Sequence, residues 1–154
     1  EKWDTTMWEH MSTVEACQGA KELVLDLADT KKLPLAIATS SRAAAVEQKR
    51  KHHVDLFERF PTIVCGDDPA VTNGKPAPDI YLEAARRMNV KPEHCIVVED
   101  GMSGVQAGKA AGCFVVAVAD TRCSAEDRVE FEKIADIVLD SLCQFNENIL
   151  LPAL

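Results

Sequence analysis

Apolar residues in this chain recur with two periods. Ala20, Leu23, Val24, Leu27 and Ala28 fall at i, i+3, i+4, i+7 and i+8, which is one face of a helix. Leu35-Ala36-Ile37-Ala38-Thr39, behind Pro34, is instead a short unbroken apolar run, the pattern of a strand buried on both sides. Ser40 and Ser41 then offer hydroxyls to cap a helix beginning at Arg42 or Ala43. A second strand is predicted at Thr62 to Cys65, followed by a Gly/Asp/Asn/Pro-rich loop from Gly66 to Pro78. Tyr81, Ala84, Ala85 and Met88 return to helical spacing, with Pro78 suited to the first turn. Cys95 to Glu99 is a third strand, and Ser103 to Ala111 a helix of small residues stopped by Gly112. Cys113 to Ala119 is a fourth strand; a helix from about Ser124 to Ile134 and a strand at Ile137 to Leu139 complete the alternation. Unbroken apolar strands alternating with helices predict an α/β fold, a Rossmann-like three-layer α/β/α arrangement around a parallel sheet with right-handed crossovers.

Composition narrows the function. The 154 residues are 47% hydrophobic and 27% charged, enough for one globular core. A net charge of −8 opposes binding to a nucleic-acid backbone. The longest apolar stretch, Cys113 to Ala119, is far short of the roughly 20 residues that span a bilayer, so no membrane partner is expected. The first residues, Glu-Lys-Trp-Asp-Thr-Thr, lack a signal pattern and the chain begins without Met, so a fragment of a longer cytoplasmic protein is expected. Cys17, Cys65, Cys95, Cys113, Cys123 and Cys143 stand singly and read as reduced, mostly buried thiols. The run Lys49 to His53 reads as a solvated helix end.

In an open parallel sheet the binding crevice lies beyond the carboxyl ends of the strands. The first strand ends in Thr39-Ser40-Ser41, hydroxyls followed by the N–H groups of a helix, a suitable cradle for a phosphate. The third ends in Glu99-Asp100-Gly101, hard oxygen donors of the kind Mg²⁺ takes. Between them lies Gly74-Lys75-Pro76-Ala77-Pro78-Asp79, a stiffened loop presenting one cation. Taken singly, these are a helix cap, a solvated lysine and turn chemistry. In this order they form a phosphoryl-transfer set.

The set resembles the haloacid dehalogenase-like hydrolases. Leu35 to Arg42 resembles the second motif of that superfamily, Gly74 to Tyr81 the third, and Ile96 to Val105 the fourth. The resemblance runs from about Gly19 to the end of the chain, and within the superfamily it is greatest to the pseudouridine-5'-phosphatase group, through Val64 to Pro76 and the closing Leu151-Pro152-Ala153-Leu154. It implies a hydroxyl on Thr39 and a lysine, Lys75, as catalytic groups, phosphate held by Thr39, Ser40, Ser41 and Lys75, and Mg²⁺ held by Glu99 and Asp100. It also implies a small phosphorylated metabolite, a sugar phosphate or nucleotide, as substrate.

The superfamily's first motif, a strand ending in Asp-x-Asp that supplies the nucleophile and a general acid and base, has no counterpart here. Leu23 to Thr30 carries Asp26 and Asp29 three apart on a helical pattern, and Asp120-Thr121-Arg122 lacks a second acid. No nucleophile is therefore assigned in this chain. Residues 1–15, including Trp3 to Met11, are expected to be the end of a helical cap returning to the core, with 16–154 as the core itself. The missing first motif is also the middle strand of such a sheet, so a gap is expected between Leu35–Thr39 and Cys95–Glu99, left open or filled by another chain. Direct pairing of those two strands would instead favour a catalytically inactive relative serving as a binding or assembly module. A receiver-type phosphoacceptor domain is excluded by order: it places acids first and lysine last.

Overall fold

The computed structural model describes residues 14–119, 121 and 123–150. The expected cap segment, apart from Val14 and Glu15, and the closing Leu151 to Leu154 lie outside the described residues, as do Asp120 and Arg122.

Helix α1 (Ala20–Leu25) opens the described core and runs directly into a π-helical turn, Asp26–Thr30. The apolar face predicted over Ala20 to Ala28 is therefore not one continuous α-helix, and none of its residues is fully buried. Strand β1 (Ala36–Thr39), helix α2 (Ala43–His52), the short helix α3 (Val54–Phe57) and strand β2 (Thr62–Cys65) follow. Then come α4 (Asp79–Met88), β3 (Ile96–Glu99), α5 (Met102–Ala110), β4 (Phe114–Val118), α6 (Ala125–Ile134), β5 (Ile137–Leu139) and the short α7 (Glu147–Leu150). Gly112, at φ 82°, supplies the left-handed residue that ends α5 and turns the chain into β4. Ser124 caps α6 by accepting from the Asp127 N–H at 3.0 Å.

All the strand pairings are parallel, as the alternation predicts. They fall into a two-stranded sheet, β1–β2, and a three-stranded sheet, β3–β4–β5. β1 pairs with β2 in the register Ala36 with Thr62 through Thr39 with Cys65. β3 pairs with β4 from Ile96 with Phe114 through Glu99 with Ala117. No ladder joins β1 to β3 among the described residues, so each has one edge without a strand partner.

Alternate residues of the larger sheet serve two cores. Val97, Val115 and Ala117 pack with Val105, Ala107, Phe131, Ile80, Tyr81 and Ala84 from the helices on one side. Ile96, Phe114, Val116, Ile137 and Leu139 face Phe145 and Ile149 on the other. Between β1 and β3 this packing fails: an apolar cavity of about 400 Å³ is lined by Leu23, Val24 and Leu27 of α1, Ala36 and Ala38 of β1, Ala84 and Ala85 of α4, and Ile96 and Val98 of β3. Val98, a mid-strand residue of a sheet normally covered on both faces, is 40% exposed.

The cysteines are all free, as expected, but less buried than expected: Cys65 and Cys113 are buried, Cys95 and Cys123 half-buried, Cys17 and Cys143 exposed. Burial pushes the Cys113 thiol up to about 11.

Candidate active site

Because the strands are parallel, Thr39, Cys65 and Glu99 end at the same edge of the molecule, and the loops after them meet there. At the end of β1, Thr39 Oγ1 accepts from the Ser41 N–H at 3.1 Å, folding Thr39-Ser40-Ser41 into a tight turn. The loop after β2 packs onto this turn. The Gly66 N–H donates to the Ser41 carbonyl at 3.0 Å. A Cβ on Gly66 would lie 2.4 Å from the Ser40 carbonyl oxygen, so only glycine allows this approach.

The N-terminus of α2 is capped differently from the expectation. Its cap residue is Arg42, with no capping side-chain bond of its own, and neither Ser40 nor Ser41 performs the capping. Asp67, from the loop after β2, accepts from the Ala43 N–H at 2.8 Å. A carboxylate thus occupies part of the positive helix end that the sequence reserves for phosphate. Asp67 was missed because a cap is sought immediately before its helix, whereas this one arrives 24 residues later.

Lys75 enters from the loop between β2 and α4. The loop is closed by Asp79, at the first position of α4, whose carboxylate accepts from the Asn73 backbone N–H at 2.9 Å. That bond and the Asn73 side chain hold the Asp79 carboxyl below its usual range. The Lys75 ammonium donates to the Ala38 carbonyl of β1 at 3.2 Å and to Glu99 Oε1 at the tip of β3. One cation therefore bridges the two sheets through Ala38 and Glu99, both of which line the cavity, with its side chain only 9% exposed and that of Glu99 14%.

Glu99 Oε1 also accepts from the Tyr81 hydroxyl. The Lys75 Nζ stands 4.8 Å from the centre of the Tyr81 ring. Burial first, and the Glu99 charge next, push the Tyr81 phenol far above its ordinary value, so it remains a donor. Behind the carboxylate is Gly104 of α5, where a Cβ would meet Glu99 Oε2 at 2.2 Å. Tyr81 was read from the sequence as part of an apolar helical face; its place six residues after Lys75, in the first turn of α4, is the only signal of a second role.

The structure thus brings Thr39, Ser40 and Ser41 into one turn and joins Lys75 to Glu99. Asp100, exposed, follows Glu99 directly. Two adjacent carboxylates are the right donors for Mg²⁺, but one is engaged by Lys75 and Tyr81. Among the described residues no group of three or more His, Cys, Asp or Glu side chains forms a metal site. The donors fit the ion in type and fall short in number.

The parallel α/β core thus carries a hydroxyl, an ammonium and carboxylates at or beside the ends of its strands. Residues 7–112 match the haloacid dehalogenase-like hydrolase family, and the chain belongs to that family. It is 44% identical over 147 residues to a probable pseudouridine-5'-phosphatase of Drosophila melanogaster, covering 93% of this chain and 62% of that protein. It is 39% identical to (DL)-glycerol-3-phosphatase 2 of Arabidopsis thaliana, over 86% of this chain and 55% of that one. Among solved structures, CbbY from Rhodobacter sphaeroides in complex with phosphate superposes with a TM-score of 0.78 at 28% identity, covering 93% of this chain and 63% of that one. The chain therefore spans less than two thirds of each of these relatives.

Proposed function

We propose that this chain is the C-terminal part of a Mg²⁺-dependent phosphomonoester hydrolase of the pseudouridine-5'-phosphatase type, acting on a small sugar phosphate or nucleotide. The observation that carries this reading is the Lys75 ammonium, held between Ala38 of β1 and Glu99 of β3, two residues lining an apolar cavity flanked by two strand edges without a partner among the described residues. A further strand entering between β1 and β3 would pair with both edges, cover Val98, and deliver the residue at its carboxyl end to Lys75. In this reading that residue is an aspartate. Its carboxylate attacks phosphorus as the bond to the leaving oxygen breaks, and water then hydrolyses the aspartyl-phosphate. Lys75 offsets the charge developing on the phosphoryl oxygens, and the Thr39 hydroxyl with the turn N–H groups orients them. Asp100, with Glu99, would hold Mg²⁺, which supplies further charge neutralisation when bound. The remaining ligands would come with the added strand, so this chain alone binds the ion weakly.

The alternative, an inactive binding or assembly module, would be supported by a ladder between β1 and β3, and none exists among the described residues. The fragment reading also expects a partner in that position, the preceding part of the parent or another chain. The test is hydrolysis of a generic aryl phosphate with Mg²⁺ by this chain alone. No turnover is expected; turnover that disappears in Lys75→Ala would mean that another residue of this chain replaces the nucleophile, and would overturn the mechanism.

A further inference from the structure

We propose that Tyr81 is a positioning residue for Lys75: its hydroxyl holds the Glu99 carboxylate on the lysine, in a space that Gly104 leaves open, and so fixes the ammonium between β1 and β3. The meaning of Lys75 rests on the hydrolase reading, but the clamp itself is independent of it.

Glu99 Oε1 receives two donors, the Lys75 ammonium and the Tyr81 hydroxyl. Gly104 allows Oε2 to lie where any side chain would collide, since a Cβ there would be 2.2 Å away. The carboxylate thus takes a hydrogen bond from α4 and occupies space that the missing side chain of Gly104 on α5 leaves. A carboxylate that is 14% exposed has few water contacts, so each donor it keeps offsets part of the cost of burying its charge. Lys75 supplies one charge-assisted bond; the phenol supplies the second. Without the hydroxyl, the carboxylate regains an unsatisfied lone pair and a reason to turn toward water.

Lys75 would feel that loss. Its ammonium lies over the Tyr81 ring, with Nζ 4.8 Å from the ring centre, and its other acceptor is the Ala38 carbonyl at 3.2 Å. The ring is kept by phenylalanine, so removing the oxygen alone separates the two contributions. Tyr81 is also the only tyrosine in the chain, so the substitution removes a single phenol. The clamp also gives Glu99 a duty other than metal ligation, beside an exposed Asp100.

The test is the side-chain NH₃⁺ resonance of Lys75 in the ligand-free chain, followed by ¹H–¹⁵N spectroscopy at mildly acidic pH and assigned by its absence in Lys75→Arg. A hydrogen-bonded, shielded ammonium exchanges slowly enough to be seen. The expected result is a resolved Lys75 signal in the wild type that is lost to exchange in Tyr81→Phe, while backbone amides of β4 keep their positions. Gly104→Ala, made on the other helix, is expected to remove the same signal, and it tests the clamp should Tyr81→Phe fail to fold. A Lys75 signal unchanged in both folded variants would overturn the proposal. Turnover by this chain alone would refute the hydrolase mechanism without altering this resonance, so the two failures are distinguishable.

Discussion

At the residue scale, the chemistry legible in the sequence is the part carried by strand ends. Thr39, Lys75, Glu99 and Asp100 could be named because a parallel sheet gathers its carboxyl termini. Tyr81, Gly104 and Asp67 could not: each acts on a residue 18, 5 or 24 positions away, across elements whose mutual placement no local pattern encodes. Glu83 is another such case. On the amphipathic α4 it is 8% exposed and accepts from Arg86 at 2.7 Å and from Arg87 at 2.6 Å. Arg87 reaches on to Asp68 at 2.7 Å, tying α4 to the loop after β2. The Arg86 and then the Arg87 guanidinium hold the Glu83 carboxyl down at about 2, against an ordinary 4.5. Between those values the unfolded chain takes up the proton before the folded one, so the stabilisation is complete above pH 4.5 and lost as pH falls toward 2. Urea midpoints across this range should therefore show Glu83→Gln less stable than wild type at pH 7 and the gap closing toward pH 2; a gap constant with pH would contradict the assignment.

At the element scale, periodicity located every strand to within a residue and the long helices α4, α5 and α6 nearly as well, because their apolar faces meet covered sheet. It failed where packing is incomplete. The face from Ala20 to Ala28 lies against the cavity rather than a filled core, and there the helix gives way to a π turn at Asp26–Thr30. The same incompleteness predicts the dynamics. A strand with one open edge leaves alternate backbone groups to water, whereas β4 has partners on both sides. Amide hydrogen exchange should thus be slow along Phe114–Val118 and markedly faster at alternate positions of Ala36–Thr39 and Ile96–Glu99. Equal protection of all three strands would mean that the edges of β1 and β3 are already paired.

At the scale of the molecule, membership in the haloacid dehalogenase-like hydrolases accounts for the order of hydroxyl, lysine and acids, and the sheet split between β1 and β3 gives that order its physical sense. Lys75 links β1 to β3 through Ala38 and Glu99, two residues that line the cavity between the sheets. The proposed mechanism requires that a strand bearing the nucleophile enter between β1 and β3. It is tested most directly by aryl phosphate turnover, with Mg²⁺, when the chain is mixed with a synthetic strand of apolar residues closing in Asp-x-Asp. The account predicts turnover on mixing, from neither component alone, and its loss when the first aspartate of the peptide is replaced by asparagine or Lys75 by alanine. Turnover that is the same with the asparagine peptide, or its absence in a mixture whose β1 and β3 amides have become protected, would contradict it.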